Sequence, residues 1–126
     1  MAEAAHEEQF RRLALHDEEW IASLLAINLG TGPPSDDEAC RLPPKVHALV
    51  RLAALLALGA APVSYHWTVA AALDAGATAD EILGTMIAVA PISGVARVVQ
   101  ATPDVALQFG YDLDAAFELL DADPPA

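Results

Sequence analysis

Phe10, Leu13, Trp20, Leu24 and Ile27 recur at helical spacing, interrupted on that face only by Asp17, while Arg11, Arg12, Glu18 and Glu19 fall between them. The pattern predicts one amphipathic first helix. Gly30-Thr31-Gly32-Pro33-Pro34 stops it, and Ser35 with Glu38 has the spacing of a capping box, which predicts a short helical turn through Cys40. Pro43-Pro44 opens the next helix, residues 45–58, which carries no polar side chain after Arg51. A helix apolar all round is expected to be buried on all sides. Residues 59–62 break it, and Val63, His66, Ala70 and Leu73 then mark one face of a further helix that Gly76 ends. Thr78-Ala79-Asp80-Glu81 is a second capping box, with Ile82, Leu83, Met86, Ile87 and Val89 as the apolar face behind it. Pro91 and Gly94 are expected to kink or divide the helical stretch beyond that face. Thr102-Pro103 restarts a helix as N-cap and N1, Gly110 sits at a left-handed C-terminal cap, and Asp112 caps a last helix through Leu120. Residues 121–126 read as a loose acidic tail. No stretch alternates between polar and apolar residues, and there is no repeat or low-complexity linker. The chain therefore reads as one all-α domain, residues 1–126, of six to seven helices.

Composition narrows the partners. The 18 acidic residues against 6 basic ones give a net charge of -12, and an isoelectric point near 4.3. Phosphate backbones and anionic lipid surfaces repel such a chain, so neither nucleic acid nor a membrane is an expected partner. A hydrophobic share of 55% is high for a small monomer, as is a mean hydropathy of +0.36. Apolar surface is thus expected to be buried between subunits. The single cysteine, Cys40, can form no internal disulfide, and no CxxC or Cys/His cluster offers a zinc site, which points to a reducing compartment. The N-terminal stretch has acidic residues where a targeting peptide has basic ones, and the longest apolar run, residues 52–63, is short of the ~20 residues that span a bilayer. A cytoplasmic protein is expected. No glycine-rich phosphate loop, nucleophile elbow or HExxH motif is present, so no nucleotide cofactor and no metal are expected.

Few side chains could carry chemistry. His66 lies on an otherwise apolar face just inside a helix start, where burial would keep it neutral, as a general base requires; the competing reading is a core histidine bonded to a carbonyl. Tyr65 and Trp67 flank it with a phenol donor and a flat apolar wall. Arg51 and Arg97 stand among Leu, Val and Ala, so each needs a carboxylate, from a protein side chain or from a bound acid. His47 precedes Arg51 by one helical turn, which lets both face one pocket.

Residues 45–82 show a near-continuous apolar helix, a Gly-Ala-Ala-Pro break, and a helix ending Ala71-Ala72-Leu73-Asp74-Ala75-Gly76-Ala77-Thr78-Ala79-Asp80-Glu81-Ile82. This order, with Val89-Ala90-Pro91-Ile92-Ser93-Gly94-Val95-Ala96-Arg97-Val98-Val99 after it, resembles the carboxymuconolactone decarboxylase family, which includes the alkylhydroperoxidase D-like proteins. The resemblance extends over residues 42–111. It implies an alkylhydroperoxidase D-like helical bundle that forms an intertwined homo-oligomer, a homotrimer or homohexamer, with the active site near the start of the helix after the break. The peroxidases of that family use a CxxC pair there, because hydroperoxide reduction needs a thiolate and a second, resolving sulfur. Residues 60–68 contain no cysteine, and Cys40 lies too early to substitute, which disfavours thiol peroxidase chemistry. The decarboxylase members imply catalysis without metal or organic cofactor. In this chain Ser64-Tyr65-His66-Trp67 occupies that zone, and the family's histidine falls at His66, Trp67 or Thr68.

The leading expectation is a cofactor-independent lyase or isomerase acting on a small organic acid or lactone. In it His66 moves the proton, Tyr65 donates to developing oxyanion charge, and Arg97, Arg51, Trp67, Ser64 and His47 bind the substrate. The alternative is a non-catalytic ligand-binding or assembly protein on the same fold.

Overall fold

The computed structural model describes residues 2–22 and 42–122, and every described element is a helix or a turn. Two compact units, residues 1–41 and 42–126, make up the chain. In the first, α1 (Ala2–Ala14) is followed by a turn and a second helical run, residues 18–22. The continuous first helix expected from the apolar spacing is thus divided. His16 takes a left-handed φ of 55°, and the Asp17 side chain accepts the Trp20 backbone N–H at 3.1 Å. A short carboxylate in mid-pattern caps a new helix more readily than it extends an old one, because its oxygen competes for free backbone donors. On α1, Glu8 receives both Arg11 and Arg12 at 2.8 and 2.9 Å. The expected continuation through Leu24 and Ile27, the Gly30–Pro34 turn and the Ser35/Glu38 capping box lie outside the described residues.

The second unit contains α2 (Pro44–Leu58), α3 (Pro62–Asp74), α4 (Ala79–Ser93), α5 (Val95–Leu107) and α6 (Leu113–Ala122). Helix α2 lies at the centre, against α3, α4 and α5, and α6 packs on α5. Leu52, Leu56, Val69 and Ile82 are wholly enclosed, with Ala48, Tyr65, Ala72, Met86, Ala101 and Val105 around them. Burying each large side chain of this set contributes about 1.5–3 kcal/mol.

Several expectations change here. Helix α2 buries one stripe, Ala48-Leu52-Leu56, while Val50 and Leu58 are exposed, so a helix apolar all round is not enclosed within its own chain. On α3 the buried stripe is Tyr65-Val69-Ala72, rotated from the expected Val63-His66-Ala70-Leu73 face. The broad Tyr65 ring takes the interior position, and Val63 turns outward. Helix α5 runs unbroken through Pro103, where a restart was expected. The Thr102 hydroxyl donates to the Val98 carbonyl at 2.7 Å, so the side chain bonds back into the preceding turn. Pro91 is likewise inside α4, and the division comes at Gly94. Helix α6 extends two residues into the stretch expected to be a loose tail.

The local punctuation agrees with the sequence. The Thr78 and Glu81 capping box is complete, with backbone N–H groups donated both ways at 3.1 Å. Asp112 caps α6 by accepting the Ala115 N–H at 3.0 Å.

Candidate functional site

The α2–α3 break sets the geometry of everything around it. Gly59 adopts φ 72°, ψ 62°, and its N–H closes α2 on the Leu55 carbonyl at 3.0 Å. The Ala60 N–H donates to the same carbonyl at 3.2 Å and to the Tyr65 hydroxyl at 3.0 Å. That hydroxyl in turn donates to Leu55 O at 3.2 Å. Pro62 then starts α3 with a preset φ. Tyr65, 3% exposed, is therefore part of the hinge that fixes α3 on α2, and its proton is directed at the backbone.

Past this hinge the two helices enclose an open cavity of about 440 Å³. Pro44, His47, Ala48 and Arg51 line it from α2, and Trp67, Thr68, Ala71 and Ala75 from α3 and its cap. The α2 side is the i, i+3, i+4, i+7 face of its first two turns; the α3 side recurs at i, i+1, i+4, i+8. His47 is held below the ordinary imidazole value of 6.5, first by burial and second by the positive charge of Arg51. His47, with its imidazole kept neutral, Arg51, Thr68 and Trp67 thus line one space. Such a set can bind an anion, keep a base unprotonated beside it, and hold an apolar body against a flat wall.

Of the residues singled out in the sequence, His47, Arg51 and Trp67 line this cavity; Ser64, Tyr65, His66 and Arg97 do not. Ser64 is half-buried in the first turn of α3, where its N–H bonds the Ala61 carbonyl at 3.0 Å. His66 turns toward α5: its Nε2 lies 3.8 Å from Asp104 Oδ1 and is buried without a hydrogen bond. Arg97 lies over the hinge, its Nη1 2.9 Å from where a Cβ on Gly59 would stand. It forms no ion pair among the described residues. Sequence reasoning reached Thr68 only as one register of the family's histidine, and it missed Asp104 altogether. Nor did it find that Lys45 reaches Glu81 Oε2 at 3.1 Å, tying the start of α2 to the start of α4 and lowering the Glu81 carboxyl below its ordinary value. Such contacts between helices leave no trace in local spacing.

Among the described residues no cluster of three His, Cys, Asp or Glu side chains could hold a metal ion. None of the described helices is long and apolar enough to cross a membrane.

Residues 36–103 match the model of the Carboxymuconolactone decarboxylase family. Neither the curated proteins nor the solved structures give a match. The matched stretch exceeds half of the 126 residues and contains the hinge, α2, α3 and every residue that lines the cavity. With its helical architecture and that match, the chain belongs to the carboxymuconolactone decarboxylase family.

Proposed function

We propose that this protein binds a small organic acid between α2 and α3 and moves a proton on it, as an isomerase or lyase that relies on its own side chains. The observation that carries the reading is the cavity in which His47 and Arg51 stand one helical turn apart beside Trp67 and Thr68. Arg51 holds the substrate carboxylate, His47 removes a proton from the adjacent carbon, and Thr68 donates a hydrogen bond to the oxygen on which charge develops. The imidazolium then returns its proton to a second carbon, which balances an isomerisation.

The same arrangement weighs against expelling the carboxylate that Arg51 holds. Loss of carbon dioxide moves negative charge away from the guanidinium, so the cation stabilises the ground state more than the transition state. Isomerisation is therefore favoured over decarboxylation at that group. In this reading His47 takes the proton-moving role that the sequence suggested for His66.

The test is solvent exchange. Small keto acids and lactone acids incubated with the protein in D2O are followed by proton NMR, with His47→Gln and Arg51→Gln alongside. Deuterium should enter the carbon next to the carboxylate with wild type, stop with His47→Gln, and need far more substrate with Arg51→Gln. Undiminished exchange in His47→Gln would overturn the assignment.

The exposed Val50, Leu58, Ile87, Ile92, Val95 and Val99 support assembly with further copies of the chain, since so much apolar surface is seldom left open, and the family resemblance implies a homotrimer or homohexamer. Light scattering on the purified protein reads the assembly mass directly.

A further inference from the structure

We infer that the cavity selects monocarboxylates with a flat, conjugated or aromatic body and discriminates against dicarboxylates, with Trp67 as the specificity-determining residue; this rests on the small-acid reading above. Three observations lead there.

The first is the supply of positive charge. Residues 42–122 contain three basic side chains, Lys45, Arg51 and Arg97. Lys45 is engaged by Glu81 at 3.1 Å, and Arg97 lies over Gly59 at the hinge. Only Arg51 lines the cavity. One carboxylate finds a guanidinium there. A second finds no further guanidinium or ammonium among the described residues that line the cavity, and it enters a chain of net charge -12. Discrimination of this kind depends on what the site withholds from the wrong ligand.

The second is the shape of the walls. Ala48, Ala71 and Ala75 carry single methyl groups, and Pro44 is a compact ring, so no long side chain from these four projects into the space. The floor is low and apolar. The third is Trp67, which lines the cavity yet remains 75% exposed. An indole left this open has a face available for a ligand, and a planar conjugated body gains an offset stack that a puckered ring of equal size does not.

The closing experiment is calorimetric titration of the full-length protein with four acids: benzoate, cyclohexanecarboxylate, phthalate and acetate. Benzoate tests the flat body, cyclohexanecarboxylate the same bulk without planarity, phthalate the second charge, and acetate the carboxylate alone. Benzoate should bind at least tenfold more tightly than each of the others. Trp67→Leu should remove most of that preference over cyclohexanecarboxylate and leave acetate unchanged, while Trp67→Phe should retain it. Trp67 is exposed, so these variants are expected to fold, and far-ultraviolet circular dichroism confirms it. Phthalate binding as tightly as benzoate, or an equal loss for benzoate and acetate in Trp67→Leu, would overturn the inference while leaving the small-acid reading in place. Binding that survives unchanged in Arg51→Gln would instead defeat the small-acid reading, and the selectivity with it.

Discussion

The Tyr65 hydroxyl donates to the Leu55 carbonyl at 3.2 Å across ten residues of chain, onto an oxygen that already accepts the N–H groups of Gly59 and Ala60. One acceptor thus gathers three donors at the end of α2. The Ala60 N–H is shared between Leu55 O and the Tyr65 oxygen, so removing that oxygen loosens the turn from both sides. Tyr65→Phe keeps the ring in the core and should cost about 0.5–1.5 kcal/mol, the usual net contribution of a hydrogen bond, because the Ala60 N–H and the Leu55 carbonyl each keep another partner. Urea denaturation checks the value. Acid binding in the cavity should be unaffected, because the hydroxyl faces the hinge; lost turnover with unchanged stability would place Tyr65 in the chemistry.

His47 supplies a pH prediction. Its folded value is depressed by burial and then by Arg51, so the unfolded chain binds more protons just below the ordinary value of 6.5. Stability from this group is therefore complete above that value and declines as pH falls toward the folded one. Turnover should follow the neutral imidazole and fall on the acid side. Arg51→Gln removes the second cause and leaves burial, so the acid limb of kcat should move to higher pH without reaching that of a solvent-exposed histidine. A limb that stays put would separate His47 from the rate.

His66 presents the reverse situation. Its Nε2 is buried and unbonded, 3.8 Å from Asp104. An unsatisfied buried polar atom costs about 1–3 kcal/mol. His66→Phe puts a somewhat larger, wholly apolar ring in its place and should raise the urea midpoint by the equivalent of about 1 kcal/mol, with ligand binding intact. A fall of similar size would mean that Asp104 stabilises the imidazole across the gap.

Glu81 links two helix starts, and its carboxyl is lowered by Lys45 first and by the Thr78 N–H second. A depressed carboxyl contributes above its unfolded value and loses that contribution as pH falls through the folded one. The stability difference between wild type and Glu81→Gln should therefore be largest near neutrality and shrink in acid. Urea midpoints at pH 7, 5 and 3 measure it. A difference independent of pH would show that the cap, and not the charge, is what Glu81 supplies.

The range of each interaction decides how much of the fold and site was legible in the sequence. Thr78 with Glu81, Asp112, and the stops at Gly59 and Gly76 act within a few residues, and the sequence displayed them. His47 and Arg51 share a helix face by spacing alone, so their common outlook could also be read. The face of α3 could not. Val63-His66-Ala70-Leu73 and Tyr65-Val69-Ala72 are both consistent with a helical period, and the choice depended on which ring would fill the space against α2. That choice turned His66 toward α5 and brought Trp67 and Thr68 to the cavity in its place. Arg97 was similarly undecidable, since its neighbour is a residue with no side chain, nearly forty positions away.

Gly59 bears on how this sequence can drift. Its left-handed backbone admits, besides glycine, chiefly asparagine, and any Cβ would meet the Arg97 guanidinium at 2.9 Å. The flexible end of Arg97 can withdraw, so a Gly59→Asn lineage would survive with a displaced arginine at position 97, under relaxed selection to remain one. Loss of arginine there would in turn make the substituted residue at 59 easier to keep. The two positions are therefore sterically coupled: a Cβ at 59 and the Arg97 guanidinium cannot both keep the places found here.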